Sequence, residues 1–140
     1  MTGNGLKRIY YIGNVHSVRK DVFDALNIGA HINCAPTVET PAKVDGVPFL
    51  RLSMADGPHP GLNVQPIFEN AIGFVQKNNE GNVMIQCFGG QNRSCTICAA
   101  ILMKLHRIPD PVPLIASRRE ICKIGPVYQI ALKKYKETLG

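Results

Sequence analysis

The segment that most constrains this chain is residues 83–94, with the sequence VMIQCFGGQNRS. Its first three residues are apolar and predict a short buried strand, whereas an apolar run from residue 94 to about 105 predicts a buried helix. A glycine-containing loop that joins a strand to a helix N-terminus directs backbone N–H groups and the positive end of the helix dipole toward one point. The segment therefore predicts an anion-binding loop at the end of a strand.

Four residues of this loop carry the chemistry that a phosphate site requires: Cys87, Gly90, Arg93 and Ser94. Gly90 permits a positive φ and close approach of the backbone to a ligand. Arg93 supplies a planar guanidinium that can bind two phosphate oxygens at once. The helix N-terminus and Arg93 should lower the pKa of Cys87 from its free value of about 8.5, which makes its thiolate a nucleophile. Ser94 can donate a hydrogen bond to the sulfur and help it leave.

The rest of the chain alternates between strand and helix patterns, which predicts an α/β fold in one domain of 140 residues. We expect a short, mostly parallel central sheet flanked by helices, with the anion-binding loop at the carboxyl end of a strand. Pro126 fits the first position of the last helix. The predicted strands are residues 9–12, 30–34, 48–52 and 83–85, and the predicted helices are 18–26, 64–75, 94–105, 114–123 and 127–139.

Composition indicates a cytoplasmic protein that is small enough to reach the nucleus. The first residues, MTGNGLKR, lack the apolar stretch of a secretory signal, and the apolar run at 97–103 is too short to cross a bilayer. The five cysteines are odd in number and irregular in spacing, which favours free thiols over a disulfide framework. We expect Cys95 and Cys98 to be core residues rather than half of a zinc site, and Cys95 or Cys34 to be available for a disulfide with Cys87 under oxidation.

The loop resembles the signature of the cysteine-based protein tyrosine phosphatase superfamily, specifically its dual-specificity branch. Cys87, Gly90, Arg93 and Ser94 match the signature, and similarity extends to 11–13, to 32–33 and to 119–135. The resemblance implies a protein phosphatase that hydrolyses phosphotyrosine and phosphoserine or phosphothreonine through a phospho-cysteine intermediate. It also implies that residues 88–93 bind phosphate and that Asn33 supports the phosphate loop. The phosphate-binding residues are Phe88, Gly89, Gly90, Gln91, Asn92 and Arg93.

The resemblance assigns the general acid to Asp56, which precedes Cys87 by 87 − 56 = 31 positions in a loop rich in glycine and proline. A proton from this aspartate would accompany departure of the alkoxide or phenoxide, and the same carboxylate would later activate water. By turn chemistry alone, an aspartate before glycine is more often a turn residue, and the spacing to Cys87 reverses that preference. Asp45, also followed by glycine, is the second candidate.

One position departs from the family pattern, because Gln86 stands where the family usually has a histidine directly before the cysteine. That histidine helps to hold the loop and to tune the thiolate, and Gln86 is a neutral supporting residue in its place. A phosphopeptide-binding pseudophosphatase is therefore the alternative from a different class. A phosphatase acting on RNA 5′-triphosphate or phosphoinositide is a further alternative, which the uncharged residues 88–92 make less favourable.

The predicted partners follow from the same mechanism. We expect a phosphorylated protein as substrate, a phosphate or sulfate ion in the loop, no metal or organic cofactor, and no membrane association. The net charge of +6 is compatible with anionic ligands in general. No interleaved aromatic and basic pattern is present, so nucleic acid is not an expected ligand.

Overall fold

The fold is built on a four-stranded sheet in which every described pairing is parallel, as seen in a computed structural model that describes residues 8–140. The strand order is β1-β4-β2-β3, which places β4, the strand before the phosphate loop, in the middle of the sheet. The expected absence of a secretory signal concerns residues 1–7, which lie outside the described residues. The strands are β1 (Tyr10–Gly13), β2 (Ile28–Asn33), β3 (Phe49–Arg51) and β4 (Asn82–Gln86).

Within residues 8–140, five α-helices and one short 3₁₀ turn, Val15–Ser17, flank this sheet. The apolar positions of each longer helix recur at helical spacing, as in Phe68, Ala71, Ile72 and Val75, and these side chains are buried. The helices are α1 (Lys20–Ala25), α2 (Gln65–Lys77), α3 (Arg93–His106), α4 (Pro111–Arg118) and α5 (Pro126–Thr138). Pro126 takes the first helical turn of α5, as its sequence position indicates.

The core has two parts because successive side chains of β4 point to opposite faces of the sheet. Val83 and Ile85 belong to the larger cluster, which α2, α3 and α5 also form, while Met84 belongs to a smaller cluster with Phe23 of α1. The helix α3 is almost entirely buried, since it packs against the sheet and against α2, α4 and α5. The phosphate loop therefore lies between a buried central strand and the most buried helix.

All five predicted helices are present with somewhat different bounds, and two of the differences have a structural cause. The helix expected at 18–26 is confined to α1, because the chain first forms the 3₁₀ turn, which Asn14 and Ser17 close as a capping box. The helix expected at 114–123 is α4, which begins earlier at Pro111 and ends at Arg118. Its later residues leave the helix because Arg119 is extended and its side chain bonds the phosphate loop.

The expectation that all five cysteines are free thiols is wrong for two of them. Cys95, in the first turn of α3, forms a disulfide with Cys122, 27 residues later in the loop after α4. The remaining three, Cys34, Cys87 and Cys98, are free and buried. Cys95 is therefore not available for a disulfide with Cys87. The spacing of the cysteines did not indicate the Cys95–Cys122 bond, because that pairing depends on how α4 folds back beside α3.

No helix among residues 8–140 is long and apolar enough to cross a membrane.

Candidate active site

Cys87 lies directly after β4, with its sulfur at the base of the phosphate loop. The Gly90 N–H donates a hydrogen bond to Sγ at 3.2 Å, and the Ser94 hydroxyl lies 3.2 Å from the same atom. Hydrogen bonds to a sulfur anion favour the charged form of the thiol. The loop therefore brings together the sulfur, an amide donor and a hydroxyl.

Gly90 is required by the space around it as well as by its backbone conformation. Its φ is +66°, which disfavours any residue with a side chain. A Cβ atom here would lie 2.5 Å from the Arg119 guanidinium and 2.8 Å from the Gly13 carbonyl oxygen. Arg119 itself donates through Nε to the Gly90 carbonyl at 2.9 Å, so the loop is supported from behind.

The first turn of α3 faces the loop with its backbone N–H groups available. Asn92 is the N-cap residue, a position where an asparagine side chain usually accepts a hydrogen bond from those N–H groups. Here its side chain makes no such bond, because its Oδ1 accepts from the Gly125 N–H at 2.8 Å. The unpaired N–H groups and the positive end of the helix dipole can therefore serve an anion.

The amide of Asn92 instead holds the aspartate loop. Its Nδ2 donates to the backbone carbonyl of Asp56 at 2.7 Å and to the Asp56 carboxylate at 3.0 Å. One residue earlier, the Ala55 carbonyl accepts a hydrogen bond from the hydroxyl of the buried Tyr128. Two side chains thus fix the segment that carries Asp56 against the phosphate loop.

Arg93 is a buried cation with several anionic or carbonyl neighbours. Its Nη2 lies 2.9 Å from the Glu39 carboxylate, its Nη1 donates to the Met54 carbonyl at 3.1 Å, and its Nε lies 3.6 Å from Asp56. Burial acts to lower the pKa of Arg93, but the hydrogen bonds and charge of Glu39 outweigh it and leave that pKa raised. The guanidinium is permanently charged and held in one orientation.

Glu39 was not identified from the sequence, and Asn33 makes a different contact from the one expected. The Asn33 side chain does not bond the phosphate loop. It accepts from the Ala35 N–H at 3.0 Å and from the Thr40 hydroxyl at 2.9 Å, and it donates to the Thr40 carbonyl. Asn33 therefore shapes the loop that brings Glu39 to Arg93, so its support of the site is indirect.

Gln86, the residue that departs from the family pattern, is fully buried behind Cys87. Its amide nitrogen donates to the Cys87 carbonyl at 3.3 Å, and its Oε1 lies 2.8 Å from Nε2 of His31 on β2. A histidine is thus present behind Cys87, but on the neighbouring strand.

A cleft of about 580 Å³ opens over these groups. Phe88 lies on its rim with about half of its surface exposed, and the backbone carbonyl of Gln91 accepts from the Lys123 N–H. The cleft is lined by Asp56, Cys87, Phe88, Arg93, Lys123 and Gln129, among others.

Asp45, the second candidate for the general acid, lies in the loop next to Val44, which packs in the smaller core cluster. No group of three His, Cys, Asp or Glu side chains in residues 8–140 is placed to hold a metal ion.

The chain matches a model of the dual specificity phosphatase catalytic domain over residues 10–137. It is 33% identical over 120 residues to human dual specificity protein phosphatase 1, covering 79% of this chain and 31% of that protein. It is 26% identical over 148 residues to a probable dual specificity protein phosphatase of Dictyostelium discoideum, covering 96% of this chain and 37% of that protein. The chain thus spans about a third of the length of these relatives.

The fold is also similar to a solved structure. The crystal structure of human DUSP28 superposes with a TM-score of 0.82 at 19% identity, covering 93% of this chain and 92% of that one. At this identity the similarity concerns the fold, and it agrees with the parallel sheet flanked by helices that the sequence predicted.

Proposed function

Because this chain belongs to the dual specificity phosphatase family, we propose that it is a protein phosphatase that hydrolyses phosphotyrosine and phosphoserine or phosphothreonine. The observation that carries the proposal is the environment of the Cys87 sulfur, with the Gly90 N–H and the Ser94 hydroxyl each 3.2 Å away. A sulfur in this position, at the start of a helix and near a buried arginine, is suited to attack phosphorus in line with the leaving group.

In the first step the Cys87 thiolate forms a bond to phosphorus, and the bond from phosphorus to the substrate oxygen breaks. Asp56 donates a proton to that oxygen, so that an alcohol or phenol departs. Arg93 and the loop N–H groups hold the equatorial oxygens and stabilise the charge that spreads over them.

In the second step water replaces the sulfur on phosphorus. Asp56, now ionised, accepts a proton from that water, and the sulfur–phosphorus bond breaks to release inorganic phosphate. The Ser94 hydroxyl donates to the sulfur and stabilises the departing thiolate. Asn92 and Tyr128 keep the aspartate loop in reach through both steps, and Glu39 keeps the arginine oriented.

Hydrolysis of an aryl phosphate and of phosphotyrosyl and phosphoseryl peptides, measured between pH 5 and 8, tests this proposal. Cys87→Ser should abolish turnover, and Asp56→Asn should lower kcat by about 10²–10⁴-fold because it removes general acid–base catalysis. Asp45→Asn is the matched control and should retain wild-type rates. No phosphate release by the wild-type protein, or equal losses in both aspartate variants, would contradict the proposal.

Two further outcomes would favour the alternatives. Tight binding of a phosphopeptide without turnover would favour a pseudophosphatase. Release of phosphate from RNA 5′-triphosphate or phosphoinositide, but from no phosphopeptide, would favour a non-protein substrate.

A further inference from the structure

Two buried polar side chains form a chain of hydrogen bonds that ends on the backbone of Cys87. His31 on β2 and Gln86 on β4 are at most 1% exposed and lie 55 residues apart in sequence. The His31 Nε2 lies 2.8 Å from Gln86 Oε1, and Gln86 Nε2 donates to the Cys87 carbonyl at 3.3 Å. A buried network of this kind is favourable only when its members satisfy one another.

The orientation of both groups follows from their contacts. If the Gln86 amide were reversed, its oxygen would face the Cys87 carbonyl oxygen, and two acceptors would meet. Oε1 must therefore point to His31, which requires that His31 carry its proton on Nε2. The other ring nitrogen, Nδ1, is buried and has no hydrogen-bond partner among the described residues.

The packing around His31 leaves Gln86 as its hydrogen-bond partner. The rings of Phe23 and Phe49 meet the imidazole edge-on, with centroids 5.1 and 5.0 Å away. Burial lowers the pKa of His31 to about 4, while the Gln86 hydrogen bond opposes this and the charge of Arg51 adds to it. The imidazole is thus a neutral donor at neutral pH, directed at one acceptor.

The hydrogen bond from Gln86 determines how the peptide after Cys87 is oriented. The described chain contains no cis peptide bond, so the Phe88 N–H points opposite to the Cys87 carbonyl. Because the Gln86 amide holds that carbonyl, the Phe88 N–H is directed away from Gln86. The backbone bonds from Cys87 N–H to the Gly13 carbonyl and from Val15 N–H to the Phe88 carbonyl flank this peptide, and without the Gln86 bond we expect the N–H between them to be less fixed with respect to the anion.

We propose that His31 and Gln86 act together as positioning residues for Cys87. The inference rests on the proposed function in taking Cys87 as the nucleophile. It assigns to His31 a role in thiol reactivity and phosphate binding, although it touches neither the sulfur nor the substrate cleft. It also removes the main reason to regard Gln86 as a sign of an inactive site.

The test compares His31→Leu, Gln86→Leu, the double Leu variant and the His31→Leu/Gln86→His variant, with Gln76→Leu on the exposed face of α2 as control. The reactivity of Cys87 is read from the rate of its alkylation by iodoacetamide between pH 5 and 8, followed by mass spectrometry of the Cys87 peptide. Protection of Cys87 from alkylation by inorganic phosphate gives the affinity of the loop. Urea unfolding gives the stability of each variant.

Each single Leu variant should slow the alkylation of Cys87 at neutral pH about tenfold and weaken phosphate binding about tenfold, the equivalent of one lost hydrogen bond. Both should also unfold at lower urea, because a buried polar group loses its partner. The double Leu variant should recover stability, since neither group remains unsatisfied, but Cys87 should still be alkylated slowly. The variant with histidine at position 86 should recover both properties.

Recovery of the wild-type alkylation rate of Cys87 and of wild-type phosphate affinity in the double Leu variant would overturn the inference, because the pair would then serve stability alone. The outcome can be distinguished from failure of the proposed function. A wild-type protein that releases no phosphate would refute the enzyme, whereas the alkylation and phosphate measurements would still decide the role of His31 and Gln86.

Discussion

Replacing His31 with glutamine should make the folded protein less sensitive to acid between pH 7 and pH 5. Glutamine can still donate a hydrogen bond to Gln86, but it cannot take up a proton. In the wild-type protein burial lowers the pKa of His31 from 6.5 to about 4. Between these two values the unfolded chain binds a proton at this position that the folded protein does not bind.

The sign and the size of the effect follow from this difference. The stabilisation by neutral His31 is fully present above pH 6.5 and is lost as the pH falls toward 4, because protonation then favours the unfolded chain. A pKa of about 4 in the folded state corresponds to a loss of about 2 kcal/mol between pH 7 and pH 5, and of about 3 kcal/mol by pH 4. Arg51, the charge that acts on His31, stays ionised throughout this range.

Urea unfolding at pH 7, 6 and 5 measures this loss. The chain contains no tryptophan, so circular dichroism is the suitable signal. The wild-type protein should lose about 2 kcal/mol more than His31→Gln between pH 7 and 5. His16→Gln, which removes an exposed imidazole, is the control and should follow the wild-type protein. Parallel losses in wild type and His31→Gln would refute the reasoning, since His31 would then titrate equally in both states.

Three further predictions concern the groups around the phosphate loop. Asn92→Ala should lower kcat for alkyl phosphates and phosphoseryl peptides more than for aryl phosphates with acidic leaving groups, because it frees the Asp56 loop and poor leaving groups depend most on the Asp56 proton. Equal losses on all substrates would contradict this. Glu39→Gln should raise the KM for aryl phosphate several-fold by loosening Arg93, with little change in the urea midpoint, and an unchanged KM would argue against an orienting role. Cys122→Ser, or reduction of the wild-type protein, should lower the free energy of unfolding by about 3 to 4 kcal/mol, because the unfolded chain regains the entropy that closing a 27-residue loop removes. Equal stability with and without reductant would exclude that contribution.

Local patterns in the sequence were sufficient to predict the sheet and the phosphate loop. The apolar run of β4 and the glycines after it determine a strand, a tight turn and a helix start, and each depends on residues adjacent in the chain. The resemblance to the family pointed to Asp56 through its spacing to Cys87, and Asp56 lies 3.6 Å from Nε of Arg93.

The features that escaped prediction all depend on segments that are distant in sequence. Glu39 reads as an ordinary polar loop residue until the loop is folded against Arg93. His31 reads as a strand residue until β2 and β4 are paired, and Cys95 and Cys122 read as unrelated thiols until the loop after α4 returns to α3. Local propensity contains no information about such pairings.

The pairing of His31 with Gln86 also restricts how these two positions can change over evolutionary time. Either single replacement by an apolar residue leaves a buried polar group without its partner, at a cost of about 1–3 kcal/mol, which is a large fraction of the stability of a small domain. A lineage that replaces both His31 and Gln86 by apolar residues, one at a time, must therefore pass through a less stable intermediate. Positions 31 and 86 should consequently show epistasis, so that the fitness effect of a substitution at one depends on the residue at the other.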